Sequence, residues 1–253
     1  MVAVAGAPLA VPKPAAAGST PFSVFQHNVL RSHYGSIKYV VEHDPPLIVT
    51  AQELCLDGLR ELEGLLEGHG YSVDYHVGYP SLRTCDGPGL ISMVATRGVF
   101  GDSFWQDYPA QVERGVYRGF VCIQASAYLL SWWACSTHIT AATGAAAVSQ
   151  SDYLRDVAFV LNDRPVIVAG DFNRTPNQTG PAGWRQSFVE VDQRANRPTY
   201  DNDPGDPLTK KIDFIFSMRL RTDVAGSGPR LGCGRLQTNS DHCFLHGRLR
   251  FIH

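Results

Sequence analysis

Apolar and polar positions along the chain follow two rhythms. One is a two-residue alternation or short apolar run, the other a three-to-four-residue step. In "PFSVFQHNVL", Phe22 and Val24 share one side with Gln26, which predicts a strand ending at Asn28. "PPLIVTAQEL" is proline-bounded and β-branched, a buried strand ending near Glu53. Leu56, Leu59, Leu62, Leu65 and Leu66 then recur at helical steps, predicting an amphipathic helix closed by Gly68 or Gly70. "YSVDYHVGY", "GLISMVATR", "GFVCIQASAYL" and "SWWACSTHI" read as four further strands separated by Gly, Pro and Asp. In the last of these strands Trp132 and Trp133 take opposite faces, with at least one in the core. "AAAVSQSDYLRDVAFVLN" is a second helix, with Val148, Leu154, Val157 and Leu161 on one stripe. "PVIVAG" and "KIDFIFS" are strands on either side of a helix-or-loop stretch around Trp184. A turn-rich segment leads to "HCFLHGRLRF", a closing strand.

Many strands with few helices between them, several in hairpin order, predict mixed sheets covered by helices, an α/β (α+β) class. No repeat or Ser/Gly linker divides the middle, so residues 21–253 are expected to form a single domain. Residues 1–20 stand outside it. "MVAVAGAPLAVPKPAAAGST" resembles the apolar and cleavage parts of a secretory leader whose basic n-region is missing; a disordered Ala/Pro tail is the competing reading. The hydrophobic fraction of 44% is ample for a sizeable core. No apolar run approaches the ~20 residues of a membrane span. A formal net charge of −2 argues against a general DNA-coating protein, though not against an enzyme that meets phosphate through a metal ion.

Six cysteines are present, and none forms a Cys-x-x-Cys pair, so zinc and redox spacings are missing. An even count beside a leader-like start suggests three disulfides in an exported, extracellular protein, against six buried free thiols. Cys122 and Cys135 lie on two strand-like runs joined by a short link and face each other across an antiparallel pair. Cys233 and Cys243 flank a short loop, which leaves Cys55 with Cys85; this is one of the fifteen pairings that six cysteines allow in principle.

The chemistry is concentrated at strand ends. Asn28 closes the first strand, and Gln52 and Glu53 the second. Thr137 and His138 end "WWACSTH", and Asp171 and Asn173 end "VIVAGDFN". Asp213 lies in "KIDFIF", while Ser240, Asp241 and His242 open the final strand. Any one of these is ordinarily a turn or cap residue. Together they would gather carboxylates, amides and imidazoles at related ends of a sheet, where clustered acids repel unless a cation sits among them. Oxygen donors such as Glu53, Asp171 and Asp241 suit Mg²⁺ or Mn²⁺ better than zinc. Two imidazoles beside carboxylates add acid–base capacity near neutral pH.

Asn28 in "FQHNV", "QE" at 52–53, "STH" at 136–138, "GDFN" at 170–173, "KIDFIF" at 211–216 and "SDH" at 240–242 resemble the ordered motifs of the endonuclease/exonuclease/phosphatase superfamily. The likeness covers residues 24–250, and the cysteines beside Glu53, His138 and His242 resemble those of secreted bacterial members. It implies a deoxyribonuclease I-like, four-layer sandwich of two packed mixed β-sheets flanked by helices, with the active site at one edge of both sheets. By the same resemblance Glu53 would be the principal metal ligand, with Asn28 beside it and Asp241 completing the site. Asp171 would orient or deprotonate the attacking water or assist the leaving oxygen, and Asn173 would hold the phosphate. His242, supported by Asp213, would be general base or phosphate-polarising imidazole. His138 would contact the scissile phosphate or act as acid. Arg118 would bind phosphate, with Arg114 as the competing choice.

The expected cofactor is Mg²⁺ (or Mn²⁺), and the expected partner a phosphodiester, first of all nucleic acid, acted on by a monomer. A phosphatase on a sugar or inositol phosphate is the alternative; a lipid phosphodiesterase and a non-catalytic domain on the same fold are further ones. Arg31, Lys38, Arg83, Arg174, Lys210 and Lys211 are the basic residues expected near the site edge, thinly spread for gripping a duplex. Two glycosylation acceptors, at Asn173 and Asn177, adjoin "GDFN". The first is incidental on this reading, because a glycan there would block the site.

Overall fold

The run Val166–Ala169 shows how the strands are buried. Val166 and Val168 pack beneath helices, while Ile167 and Ala169 face a second sheet. A strand covered on both sides reads as a continuous apolar run rather than an alternation. The computed structural model describes residues 20–31, 33–80, 85, 89–127, 129–201, 207–226, 228–233 and 240–252. The expectation for residues 1–19, and the basic residue Arg83, lie outside the described residues.

One sheet runs in the order β11 (Thr222–Val224), β13 (Phe244–Phe251), β1 (Phe22–Arg31), β2 (Ile48–Cys55), β4 (Leu90–Arg97), β3 (Tyr71–Tyr79), with β12 (Arg230–Gly232) also on β13. The other runs β5 (Val99–Asp107), β6 (Gly119–Ala127), β7 (Leu130–His138), β8 (Val166–Asp171), β10 (Asp213–Met218), β9 (Phe188–Glu190). Helices α1 (Gly35–His43) and α2 (Leu56–Gly68) accompany the first sheet, and α3 (Gly144–Val160) and α4 (Pro181–Ser187) the second. Val24, Ile48 and Leu245 meet Val121, Ile123, Trp132 and Ile215 between the sheets. Phe25, Val49 and Met93 pack outward with Ile37, Leu59 and Leu62 of the helices. The result is the four-layer sandwich expected from the sequence.

Trp132 and Trp133 do take opposite faces, and both are buried: Trp132 between the sheets, Trp133 in the cluster with α3. The three disulfides join Cys55 to Cys85, Cys122 to Cys135 and Cys233 to Cys243. Cys122 and Cys135 are directly opposite in the β6–β7 register. Several elements were not read from the sequence. Strand β5 is exposed along nearly its whole length, so its side chains carry no core alternation. Helix α1 spans only nine residues and has no side-chain cap, although Ile37, Val40 and Val41 are buried. Strands β9, β11 and β12 are three residues each, too short for periodicity to register.

Lys211 is not at the site edge. It is buried, its Nζ 3.0 Å from Glu190 Oε1 and 3.5 Å from Asp192 Oδ2, and it lies over the ring of Phe214. Arg185 and Arg197 reach the same two acids from their outer sides. Lys211 is the buried cation shared by both acids; without it each carboxylate keeps one arginine and stays buried with part of its charge unmatched. Lys211→Met is therefore expected to lower unfolding free energy by about 3 kcal/mol, read from the urea midpoint at unchanged slope.

Candidate active site

Two parallel strand pairs place the reactive groups. Asn28 is the register partner of Gln52 on β1 and β2, and His138 of Asp171 on β7 and β8. Asp213 pairs with Asp171 at the start of β10. Parallel strands end at one edge together, so each sheet gathers its groups at one end, and the packing of β1 and β2 against β7, β8 and β10 brings the two ends to one rim. His242 reaches that rim just before β13, where Ser240 Oγ donates to Asn28 O at 2.7 Å and accepts from His242 N at 3.1 Å.

Local backbone chemistry sharpens the ends. Glu53 and Asn173 both adopt left-handed φ, +55° and +49°, which side chains other than glycine seldom hold without a surrounding constraint. At Asn173 the constraint is visible: Asp171 Oδ1 accepts from Asn173 N at 2.8 Å, and Asn173 Nδ2 donates to Ile139 O at 2.9 Å. Phe172 between them is fully buried against Trp184, Phe214 and Phe216. Gly170 is required by close approach, since a Cβ there would stand 2.1 Å from the carbonyl oxygen of Thr137.

The side chains converge tightly. Asn28 Nδ2 donates to Asp171 Oδ2 at 3.1 Å and lies 3.5 Å from Glu53 Oε1. His138 Nε2 is 3.5 Å from Asp171 Oδ2 and 3.8 Å from Glu53 Oε1. His242 Nε2 is 3.8 Å from Asp171 Oδ2, while its Nδ1 is bonded to Asp213 Oδ2 at 2.9 Å. Asp213 is itself held by Thr199 Oγ1 at 2.6 Å and Gln26 Nε2 at 3.1 Å. Below the rim, Gln26 donates to Gln52 and Gln52 to Ser136, tying the two sheets together. Sequence reasoning missed Thr199 and the bridging role of Gln26; Thr199 lies in a turn-rich stretch with no periodic signal.

The same packing sets the charges. Burial pushes Asp171 up from 3.8 to about 7, aided by Asp213 and opposed by His242 and the amide donors. Burial works against a charge on His242, but Asp213, with Asp171 and Asp241, outweighs it and lifts the group from 6.5 to about 10. Burial, with repulsion from Arg118 and His242, holds His138 well below the usual histidine range.

Arg118 is buried in the cavity lined by Glu53, Tyr79 and His138, whereas Arg114 is exposed. Its guanidinium donates to Glu113 at 2.8 Å and to Tyr79 Oη at 2.8 Å, leaving Nη1 buried without a hydrogen bond among the described residues. Tyr79 and Glu113 were not foreseen; neither belongs to a motif. Asp241 contacts Ser240 at 3.4 Å and acts on His242 through its charge, but shares no described contact with Glu53 or Asn28.

Among the described residues, Asp171, Asp213 and His242 form the one acid–imidazole cluster with ligand atoms within 4.8 Å. Asp213, however, already accepts three hydrogen bonds, which leaves it poorly placed to bind an ion. Glu53 has only long contacts, and Asp171 offers further oxygens beside it, while Asn28 turns its Nδ2 to both and accepts from Leu30 N at 3.3 Å through its oxygen. The two carboxylates, with that amide turned over, fit a hard divalent ion completed by water.

This fold and this rim define a phosphoester-hydrolase architecture. Residues 25–242 match the endonuclease/exonuclease/phosphatase family, and the chain belongs to that family, whose members generally depend on divalent metal. Among solved structures, the human Nocturnin catalytic domain with bound sulfate is similar: 18% identity, TM-score 0.71, covering 92% of this chain and 94% of that one. A Bacteroides thetaiotaomicron mannosyl-6-phosphatase matches at 17% identity and TM-score 0.67, over 92% of this chain and 100% of that one. The D. rerio TDP2 structure with a single-strand DNA product matches at 18% and 0.67, over 91% and 99%. No curated protein matches in sequence.

Proposed function

We propose that residues 21–253 act as one catalytic unit, a monomer that hydrolyses phosphodiesters by water attack at phosphorus. The reading rests on the shared rim of Glu53, Asp171 and His242, two carboxyl groups and an imidazole each held within 4 Å of a neighbour. Asp171, with a pKa of about 7, is matched to accept the proton of the attacking water. His242, held protonated by Asp213, supplies positive charge to the phosphate in the transition state. His138, neutral at physiological pH, contacts the phosphate and does not serve as the acid. Asn173 and the open Nη1 of Arg118 add donors. Glu53, with Asn28 beside it, would hold Mg²⁺ or Mn²⁺, and Asp241 would act from the next layer. Such an ion supplies charge neutralisation and a lower pKa for bound water.

Nucleic acid is the substrate class the family resemblance brings forward first. A compact phosphoester is the second reading, favoured by the fate of the expected cations. Lys211 is buried in its ion network, Lys38 is paired with Glu61, and Lys210 lies over the ring of Tyr200. Arg174 turns towards Gly144, leaving, of the expected cations among the described residues, exposed Arg31 for a strand backbone. Three disulfides are compatible with an extracellular protein, and we place its action outside the cell.

The purified protein should therefore turn over bis-p-nitrophenyl phosphate with Mg²⁺, and EDTA should abolish that turnover reversibly. Parallel assays on plasmid DNA, RNA and p-nitrophenyl phosphate separate the readings. Monoester turnover alone would move the assignment to a phosphatase, and inertness towards all four would overturn it.

A further inference from the structure

Strand β1 sends alternate side chains to opposite faces. Val24, Gln26 and Asn28 point towards the second sheet, where Gln26 meets Asp213 and Asn28 meets Asp171. Phe25 and Val29 pack outward with α1 and α2, and His27 lies between them in the strand, on the same face. His27 is fully buried and has no place on the reactive rim. Both of its ring nitrogens are nonetheless engaged. Nδ1 lies 2.8 Å from Ser36 Oγ on α1, and Nε2 lies 3.2 Å from the main-chain oxygen of His242.

These partners fix the tautomer. A carbonyl oxygen can only accept, so the ring proton sits on Nε2 and is donated to His242 O. Ser36 Oγ then donates to the bare Nδ1. Burial opposes a second proton and lowers the pKa to about 4, so the ring is neutral at physiological pH. Phe25 and Phe244 flank it edge-on, at centroid distances of 6.4 and 6.3 Å.

The bond falls where the sheet stops providing one. Strands β1 and β13 pair from Phe22–Leu249 to Gln26–Leu245, and His242 lies three residues beyond that ladder. An isolated bridge joins His242 to Tyr200, but its hydrogen bonds use Asp241 O and Cys243 N. The N–H and C=O of His242 itself therefore point the other way, towards Ser240 Oγ and His27. Ser240 Oγ also donates to Asn28 O, so side chains tie this segment to β1 where the ladder is missing. Asp213 grips the ring of His242 through Nδ1, and His27 grips its backbone.

We propose that His27 is a positioning residue for the hydrolysis: its Nε2–H holds the main chain of His242 and so sets where that imidazole stands on the rim. The kinetic consequence rests on the phosphodiesterase reading. The hydrogen bond and its effect on the His242 ring do not.

Three substitutions separate reach from bulk. Glutamine places an N–H where Nε2 stands, asparagine stops at the position of Nδ1 and can meet Ser36 alone, and leucine keeps bulk without a donor. With bis-p-nitrophenyl phosphate and Mg²⁺, His27→Asn and His27→Leu should each lower kcat about tenfold with KM within about twofold of the parent. His27→Gln should keep kcat within about threefold. Long-range proton–nitrogen NMR gives readouts that need no turnover. In the parent, neutral His27 should carry its proton on Nε2. The His242 ring resonances should move in the Asn and Leu variants and stay close to the parent's in the Gln variant. A proton on Nδ1 of His27 overturns the proposal even if no variant folds. So does a Leu variant with the parent's kcat, or an equal loss in all three. Ring readouts that hold in a protein inert towards the ester would sink the phosphodiesterase reading and keep the bond; turnover with an unmoved His242 ring would do the reverse.

Discussion

An Asp171→Asn protein is expected to fold and to hydrolyse phosphodiesters about 10²–10⁴-fold more slowly than the parent. Asparagine keeps the shape that accepts from Asn173 N, so the turn that positions the rim should survive. What is lost is the group able to take a proton near neutral pH. In the parent, kcat/KM should rise as pH rises through about 7, where Asp171 loses its proton, and fall again as His242 loses its own near 10. The variant should lack the acid limb. Stability should move the opposite way. A carboxyl raised from 3.8 to about 7 on folding opposes the fold progressively as pH rises between those values, and fully above the higher one. The variant should therefore melt above the parent at pH 8, and the gain should vanish near pH 4. Circular dichroism melts at both pH values, beside the pH–rate profile, check the claim. An inert protein with a lower melting temperature at pH 8 would assign Asp171 a structural role instead.

Most strands and the grouping at the rim were legible because both depend on periodicity and on motifs at strand ends. Val24 and Phe25, or Ile167 and Val168, alternate between two apolar environments, so the runs are visible even where the faces are not. The Cys122–Cys135 bond follows from hairpin adjacency and needs no tertiary information. Features whose partner lies far along the chain were harder to see. Lys211 looks like a surface cation beside "KIDFIF" until Glu190 and Asp192 fold against it from a different segment. Thr199 reaches Asp213 across a gap of 14 residues, and Gln26 reaches it across 187. Strand β5 was missed because it is held by backbone pairing to β6, with most of its side chains in solvent. Charge state was equally hidden. Nothing in "SDH" says that its imidazole is protonated and that of "STH" neutral; the difference comes from Asp213 beside one and Arg118 near the other.

Asp213→Asn should separate these two imidazoles experimentally. Asp213 touches no reacting atom in the proposed scheme; it positions His242 and holds its charge through the 2.9 Å bond to Nδ1. Replacing the carboxylate by an amide keeps the volume and removes the negative charge; with its oxygen towards Thr199 and His242, the new amide NH2 faces Gln26 Nε2, so that one bond is lost unless Gln26 turns. In other triads with an orienting carboxylate the same change costs about 10⁴ in kcat, so a loss of about 10³–10⁴ is expected here. The diagnostic readout is the alkaline limb. The pKa of His242 stands at about 10 because Asp213, foremost, overcomes burial; without it burial prevails and the pKa must fall. Residual activity should then decline at a lower pH than in the parent, and the His242 ring resonance should titrate at the same shifted position by NMR. His138 should move the other way, upward, since Asp213 does not act on it directly but the repulsion of a charged His242 that helps depress it is lost. A large rate loss with an unmoved alkaline limb would mean that His242 acts neutral, as a base, and that the positive charge at phosphorus comes from elsewhere.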